Sequence, residues 1–443
     1  MRVTVVGTGY VGLVTAVGLA ELGHAVTCVD IDERKVDALN RGEPTIFEPG
    51  LEPLLRRNVP ARLRATTDLA AAVQSSRLSF VCVGTPSRPD GSVDVSFVQQ
   101  AVEQIGAALR STTWFHAVVV KSTVVPGTTD RVVRPALELT SGKRAGVDFG
   151  VGANPEFLTE GTAVEDFLQP DRIVVGGDPR TVAALRDLYA GFGNVPVVET
   201  NAATAEMIKY ASNAMLATAI SFSNEIANLG SAIGGIDVVE VMRGVHLSRY
   251  LTTRLEDGTS VTAPLSSFYE AGCGYGGSCL PKDVAALAAR GREVGSPLPL
   301  LEAVAGTNDG QPARLVDLLR QEFGELGARR ITVLGLAFKP DTDDVRSSPA
   351  LPVVRLLREA GAEVRVHDPV VGPQVLDGLG DVTFVEDLAD AVKQAEAVVV
   401  VTRWDDYGRL PELVGELDPP PLVVDGRRMI ERSSVPSYTG IGV

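Results

Sequence analysis

Cysteine, histidine and positive charge are all scarce in this chain of 443 residues. The four cysteines (28, 82, 273 and 279) and four histidines (24, 116, 246 and 367) are scattered, whereas a zinc site needs about four such ligands at recognisable spacings. No metal is expected. So few cysteines in so long a chain also argue against a disulfide framework. Acidic residues outnumber basic ones 56 to 41, for a formal net charge of −15. That balance opposes general affinity for nucleic acid or anionic lipid, whose phosphates favour basic surfaces. No stretch reaches the roughly 18 unbroken apolar residues of a membrane span. The N-terminus, "MRVTVVGTGYVGL", carries no charged leader or small-residue cleavage site. The expected location is the cytoplasm.

What is present is an ordinary globular composition, 45% apolar and 22% charged. At roughly 150 residues per domain it suggests about three domains. The first thirty residues read strand, glycine turn, helix, strand, with Gly7, Gly9 and Gly12 fitting G-x-G-x-x-G and Asp30 ending the second strand. In that setting the motif predicts a dinucleotide site. Gly7 permits the tight turn, Gly9 lets backbone approach the pyrophosphate, and the helix N-terminus stabilises its charge. Asp30 suits the ribose hydroxyls of NAD and would repel the 2′-phosphate of NADP. Further strands at "LSFVCVG" and "AVVVKST" end in polar turns, placing Thr85 and Thr123 at the cofactor edge.

Residues 202–233 read as one long helix, apolar almost all round, which implies burial between domains or subunits and a homodimer built on it. At Arg330 a second strand, turn, helix, strand unit begins, ending "REAGAEVRVHD" much as the first ends "AELGHAVTCVD". It lacks the glycine fingerprint and has instead a longer loop with Lys339 and Arg346, which suit a phosphate. The expected fold is α/β: two Rossmann-like doubly wound domains joined by a long central helix and a helical domain. The expected domains are 1–200 for NAD, 201–310 for dimerisation, and 311–443 for a second, different nucleotide.

Chemistry-bearing residues cluster in three places. Lys209 and Asn213 lie four apart on the long helix and share a face. Glu156 and Glu160 in "NPEFLTEG" would do the same in a helix. In "YEAGCGYGGSCLPKD", Pro281 marks a first helical turn, putting Cys279 at a helix mouth. The positive helix end and Lys282 favour a thiolate there. Gly274, Gly276 and Gly277 would let backbone approach a ligand, while Cys273, without such a setting, reads as structural.

"GTGYVGL", "VGTPS", "KSTVVPGTT", "NPEFLTEG", "KYASNAM", "GYGGSCLPKD", "GLAFKPDTDDVRSSP" and "DGRR" occur in the order seen in the UDP-glucose/GDP-mannose dehydrogenases, which the chain resembles over nearly its whole length. The resemblance implies oxidation of a sugar C6 alcohol to a carboxylate with two NAD, UDP-glucose to UDP-glucuronate, through a thiohemiacetal and a thioester on Cys279. It implies oxyanion stabilisation by Lys209 and Asn213, and water positioning by Thr123 and by Asp283, which also helps to take protons. Glu156 matches the residue that activates water in thioester hydrolysis. It further implies cofactor contacts from Gly7, Gly9, Tyr10, Val11, Gly12, Asp30, Lys35, Thr85, Thr123, Glu160 and Arg346. Substrate contacts are implied from Glu156, Phe157, Leu158, Lys209, Asn213, Tyr269, Gly276, Lys339 and Arg427.

One stretch departs from the family, "TTRLEDGTSVTAP" at 252–264, where most relatives have a short segment. It borders the expected sugar pocket. UDP-N-acetylmannosamine and GDP-mannose are the alternative substrates, although "LTEGTAVEDFLQPDRIVVG" and "MIKYASNAM" favour UDP-glucose. A two-electron hydroxyacid dehydrogenase needs neither the thiol nor the second nucleotide fold. A noncatalytic nucleotide-sugar binder would be expected to have lost the thiol, lysine or asparagine, and all three are present.

Overall fold

The computed structural model describes residues 1–443, which divide into two compact units, Met1–Ser212 and Asn213–Val443. In the first, β1 (Arg2–Val6), β2 (Ala25–Val29), β3 (Leu63–Thr66), β4 (Leu78–Val81), β5 (His116–Val120), β6 (Phe149–Ala153), β7 (Ile173–Gly177) and β8 (Val197–Thr200) form one sheet in the order β3-β2-β1-β4-β5-β6-β7-β8. The strands run parallel from β3 to β6, and β7 turns antiparallel to β6 with β8 parallel beside it. Valine-rich strands suit such a sheet because both faces are buried. Val3, Val5, Phe80 and Val119 pack into one core, and Val6, Val81, Val118 and Val120 into another on the opposite face. The strand order reverses between β1 and β4, leaving a crevice at their carboxyl ends where ligands bind in doubly wound sheets.

The second unit has a helical part and a sheet. The helix Ala202–Ile233 has the bounds expected from the sequence, and the unit boundary falls within it. After it come the hairpin strands β9 (Thr252–Arg254) and β10 (Ser260–Thr262), then the helices Leu280–Glu293 and Pro299–Phe323. Six parallel strands follow: β11 (Arg330–Leu334), β12 (Glu363–His367), β13 (Thr383–Phe384), β14 (Ala397–Val400), β15 (Leu422–Asp425) and β16 (Tyr438–Gly440). Their order, β13-β12-β11-β14-β15-β16, repeats that of the first six strands of the first sheet. The two Rossmann-like sheets expected from the sequence are therefore present. No helix of the protein is long and apolar enough to cross a membrane.

Candidate active site

At the first β-α turn, Gly7 has φ +95° and lies so close to β4 that an added Cβ would sit 2.8 Å from the Cys82 carbonyl oxygen. Gly9 differs: a Cβ there would meet no protein atom within 4 Å, so the space beside it is open to a ligand. The helix Tyr10–Glu21 starts at Gly9 with no side-chain cap, leaving N–H groups of its first turn to an anion. Asp30 ends β2 as expected, and the structure adds a residue that sequence reading missed. Thr8 donates to Asp30 Oδ2 from both its N–H (2.9 Å) and its hydroxyl, and Asp32 N–H donates to Oδ1. Burial works against charge on Asp30, but these bonds and nearby Lys35 hold its carboxyl below the usual range. The open glycine, the uncapped helix and the oriented anion fit a dinucleotide. The turn at Gly9 and the carboxylate of Asp30 are the residues that would hold NAD. Tyr10 donates instead to Glu48, which also accepts from the N–H groups of Gly161 (2.8 Å) and Ala163 (2.7 Å), so the tyrosine braces the loop that carries Glu160.

Beyond β5 and β6 the start of the long helix holds two strand-end loops. "NPEFLTEG" is a loop rather than a helix, so Glu156 and Glu160 do not share a helical face. Glu156 turns inward to pair with Lys209 at 3.0 Å, each side chain 5% exposed. Its other oxygen accepts from Leu158 N–H at 2.6 Å. Burial favours the neutral acid, but Lys209, the Leu158 N–H and Lys121 prevail and hold Glu156 below the usual carboxylate range. Phe157 lies between cations, with its ring centroid 4.0 Å from the Arg172 guanidinium carbon and 5.6 Å from Lys209 Nζ. One turn before Lys209, Glu206 accepts from the N–H groups of Gly127 (2.6 Å) and Thr129 (2.9 Å). Glu206 thus secures the loop after β5 as Lys209 secures that after β6. Thr123, Ser122, Glu206 and Lys209 line a cavity of about 10 Å³, room for roughly one water.

In the second unit Cys279 is the N-cap residue of the helix Leu280–Glu293, which has Pro281 in its first turn as the sequence predicts. One turn on, Asp283 N–H donates to the Cys279 carbonyl, and the Asp283 carboxylate is fully buried. Its Oδ2 accepts from Asn213 at 2.6 Å, joining two expected site residues. Its Oδ1 takes Lys282 at 2.5 Å. Lys282 thus forms an ion pair with the buried carboxylate beside it. Cys279 stands at the N-terminal end of this helix, where the backbone dipole is positive. Cys273 is fully buried, donates to the Val401 carbonyl at 3.4 Å, and burial pushes its thiol up, as suits a structural role.

At Gly276 and Gly277 the space that a side chain would need is filled by the protein itself. A Cβ on Gly276 would sit 2.4 Å from the Ser347 carbonyl oxygen, and one on Gly277 would strike the Phe338 ring. The loop thereby contacts the 338–347 segment, with Gly277 N–H donating to the Arg346 carbonyl at 2.8 Å. Three buried or half-buried amides missed in the sequence fasten it from behind. Asn224 accepts from Gly272 N–H, Gln311 donates to the Gly272 carbonyl, and Asn308 pairs with both backbone groups of Tyr275. Arg427 donates to the carbonyls of Gly274 (2.9 Å) and Val401 (2.6 Å), clamping the loop to a strand end.

Arg346 is held in a fork by Asp344, and Lys339 lies near the Phe338 ring on the same loop. Tyr269 stacks edge-on against Phe222. Asp368, at the end of β12 where β2 has Asp30, accepts from the N–H groups of Leu336, Ala337, Val370 and Val371. It is consumed by its own backbone, so this second Rossmann-like sheet cannot offer a ribose-binding carboxylate there. The departing stretch forms the exposed hairpin β9–β10, tied by Thr252 and Thr262 hydroxyls at 3.0 Å.

Comparison with known proteins accords with this geometry. Residues 1–193 match the NAD binding domain, 203–310 the central domain and 332–432 the UDP binding domain of the UDP-glucose/GDP-mannose dehydrogenase family. UDP-glucose 6-dehydrogenase AglM of Haloferax volcanii is 42% identical over 446 residues, covering 100% of both chains. GDP-mannose 6-dehydrogenase of Azotobacter vinelandii is 42% identical over 83% of this chain and 81% of its own. The solved UDP-glucose dehydrogenase of Pyrobaculum islandicum superposes with a TM-score of 0.90 at 40% identity, covering 99% of this chain and 97% of that one. The chain belongs to the UDP-glucose/GDP-mannose dehydrogenase family and is an NAD-dependent oxidoreductase with a UDP-sugar-binding domain.

Proposed function

We propose that the protein oxidises UDP-glucose at C6 to UDP-glucuronate in two two-electron steps, with Cys279 as covalent nucleophile. The observation that carries the reading is Cys279 at the uncapped N-terminus of the helix Leu280–Glu293, one turn from the buried Asp283–Asn213 pair. Bound NAD would supply the acceptor for the C6 hydride in each oxidation. Between the two, the Cys279 thiolate adds to the aldehyde carbon to give a thiohemiacetal, and the second oxidation leaves a thioester. Lys209 and Asn213 stabilise the oxyanion as it develops. Glu156, anionic beside Lys209, accepts a proton from the water that hydrolyses the thioester. Asp283 and Thr123 position water, and Asp283 also helps to take protons. Water supplies the second carboxylate oxygen, and the thiol is regenerated. In this reading Lys339 and Arg427 hold the UDP-sugar, Arg346 and Glu160 the cofactor, and the roles of the domains are those expected from the sequence.

Among relatives that match both chains from end to end, the UDP-glucose dehydrogenases at 40–42% identity favour UDP-glucose over the solved UDP-N-acetylmannosamine and GDP-mannose dehydrogenases, which are 27–35% identical. The test is the count of NADH formed per sugar consumed, with UDP-glucose, UDP-N-acetylmannosamine and GDP-mannose compared at equal concentration. The expected result is two NADH per UDP-glucose and kcat/KM highest for that sugar. One NADH per sugar would remove the thioester, and a preference for another sugar would reassign the substrate.

A homodimer through the long helix is part of the same proposal. Met215, Phe222 and Leu229 recur every two helical turns and are 45–57% exposed, with Ile233 one turn further. Such an apolar row on a helix matches the seam of a helix pair. Leu229→Asp should convert a dimer to a monomer in sedimentation velocity at micromolar concentration. A parent protein that sediments as a monomer, or a variant that still dimerises, would refute this seam.

A further inference from the structure

Lys121 ends its strand in the least hospitable place for a cation. It is 4% exposed, and its ammonium donates only to a neutral residue, Asn154, at Oδ1 (3.0 Å) and at the carbonyl (3.4 Å). Asn154 is itself fixed from two sides, accepting from the Tyr189 hydroxyl at 2.6 Å and donating to the Val174 carbonyl at 2.8 Å. Asn154 opens the loop in which Glu156 stands. The groups that face Lys121 are the Phe80 ring and the Cys82 thiol from β4 and its end, Glu156 from the loop after β6, and Lys209 from the long helix. The buried cluster therefore holds two lysines for one paired carboxylate. Burying an ammonium with only neutral partners costs stability, so a lysine retained there needs a reason other than packing.

We propose that Lys121 is a positioning residue for the oxidation, holding the Glu156 loop through Asn154 and adding a second buried cation to the one that Glu156 pairs with. This rests on the reading of Glu156 as the residue that activates water. Two charges of like sign bear on one carboxylate, so removing either weakens its preference for the anion. Burial pushes the Lys121 ammonium down to about 8, Lys209 adding to the effect and Cys82 and Glu156 opposing it. At neutral pH it is therefore mostly charged, and it loses that charge as the solution turns alkaline. Cys82, pushed up to about 12 by burial, stays a neutral thiol throughout.

The experiment compares the parent, Lys121→Met and Lys121→Arg by NADH release from UDP-glucose between pH 5.5 and 9, and by thermal unfolding at each pH. Methionine keeps the stem and removes the charge; arginine keeps the charge. In the Met variant kcat should fall by about tenfold or more with KM changed less than about threefold, and the acid limb of the kcat profile should move up by about one pH unit. The Arg variant should keep the parent's limb. The melting temperature of the Met variant at pH 7 should equal or exceed the parent's, because a desolvated charge is gone. An unmoved acid limb, or activity lost only together with several degrees of stability, overturns the proposal. If the parent releases no NADH from any nucleotide sugar, the proposed function fails, while melting still decides Lys121: a Met variant well below the parent marks a structural cation.

Discussion

Cys279→Ser should abolish steady NADH release, by about three orders of magnitude, since an alcohol is far less nucleophilic than a thiolate at neutral pH and any ester formed turns over slowly. The stabilisation offered by the helix end acts on a thiolate, and serine at that N-cap does not ionise. Intact-protein mass after incubation with NAD and UDP-glucose should show the variant unmodified or carrying a persistent sugar adduct. Cys273→Ser is the control. That thiol lies in the same loop but is fully buried against Val401, so the change should lower the melting temperature by at most a few degrees and leave turnover near the parent's. A Cys279→Ser protein that still yields two NADH per sugar at near-parent rate would remove the covalent mechanism.

Lys209→Met should damage both stability and activity. It leaves the Glu156 carboxylate, 5% exposed on its side chain, without its contact partner. Breaking one side of a buried ion pair costs about 3–5 kcal/mol, which for a unit of this size is on the order of 10 °C in melting temperature. The loss should depend on pH. Glu156 is held below its usual range in the parent, so the pair's contribution is fully present above the unfolded-state value and fades as pH falls through the folded one. In the variant burial raises Glu156, so acidification neutralises the stranded charge and relieves the penalty. The two melting curves should converge toward low pH. Lys209→Met with Glu156→Gln should recover most of the stability and none of the turnover. A double variant that regains activity would mean the pair is only structural, and a gap that widens on acidification would contradict the assigned ionisation.

The local geometry legible in the sequence is that set by backbone within one element. A strand ending in Gly7, an N-cap at Gly9 and an acidic residue ending the next strand follow from spacing alone, as does Cys279 at a helix mouth ahead of Pro281. The long helix and its bounds follow from an unbroken run without proline. What neighbouring residues left open is which partner a side chain takes. Lys282 stood next to the thiol in sequence but found Asp283 in contact. The loop glycines looked like room for a ligand, and the Phe338 ring and Ser347 carbonyl use that room.

From its residues alone this chain determines two Rossmann-like folds, a dinucleotide turn and a family, because glycine positions, apolar periodicity and capping act over a few residues and survive in any context. Only the tertiary structure decides which partners the charged side chains meet. Glu206 reaches Thr129 across 77 positions and Arg427 reaches Gly274 across 153. It also decides that Asp30 keeps a carboxylate oriented by Thr8 beside an open glycine, while Asp368 at the matching place in the second sheet is taken by four backbone N–H groups. The physical reason is desolvation: a polar group carried into the core must take whichever partner the fold brings within hydrogen-bond distance, and that partner is set by how distant segments pack rather than by the residues beside it in the chain.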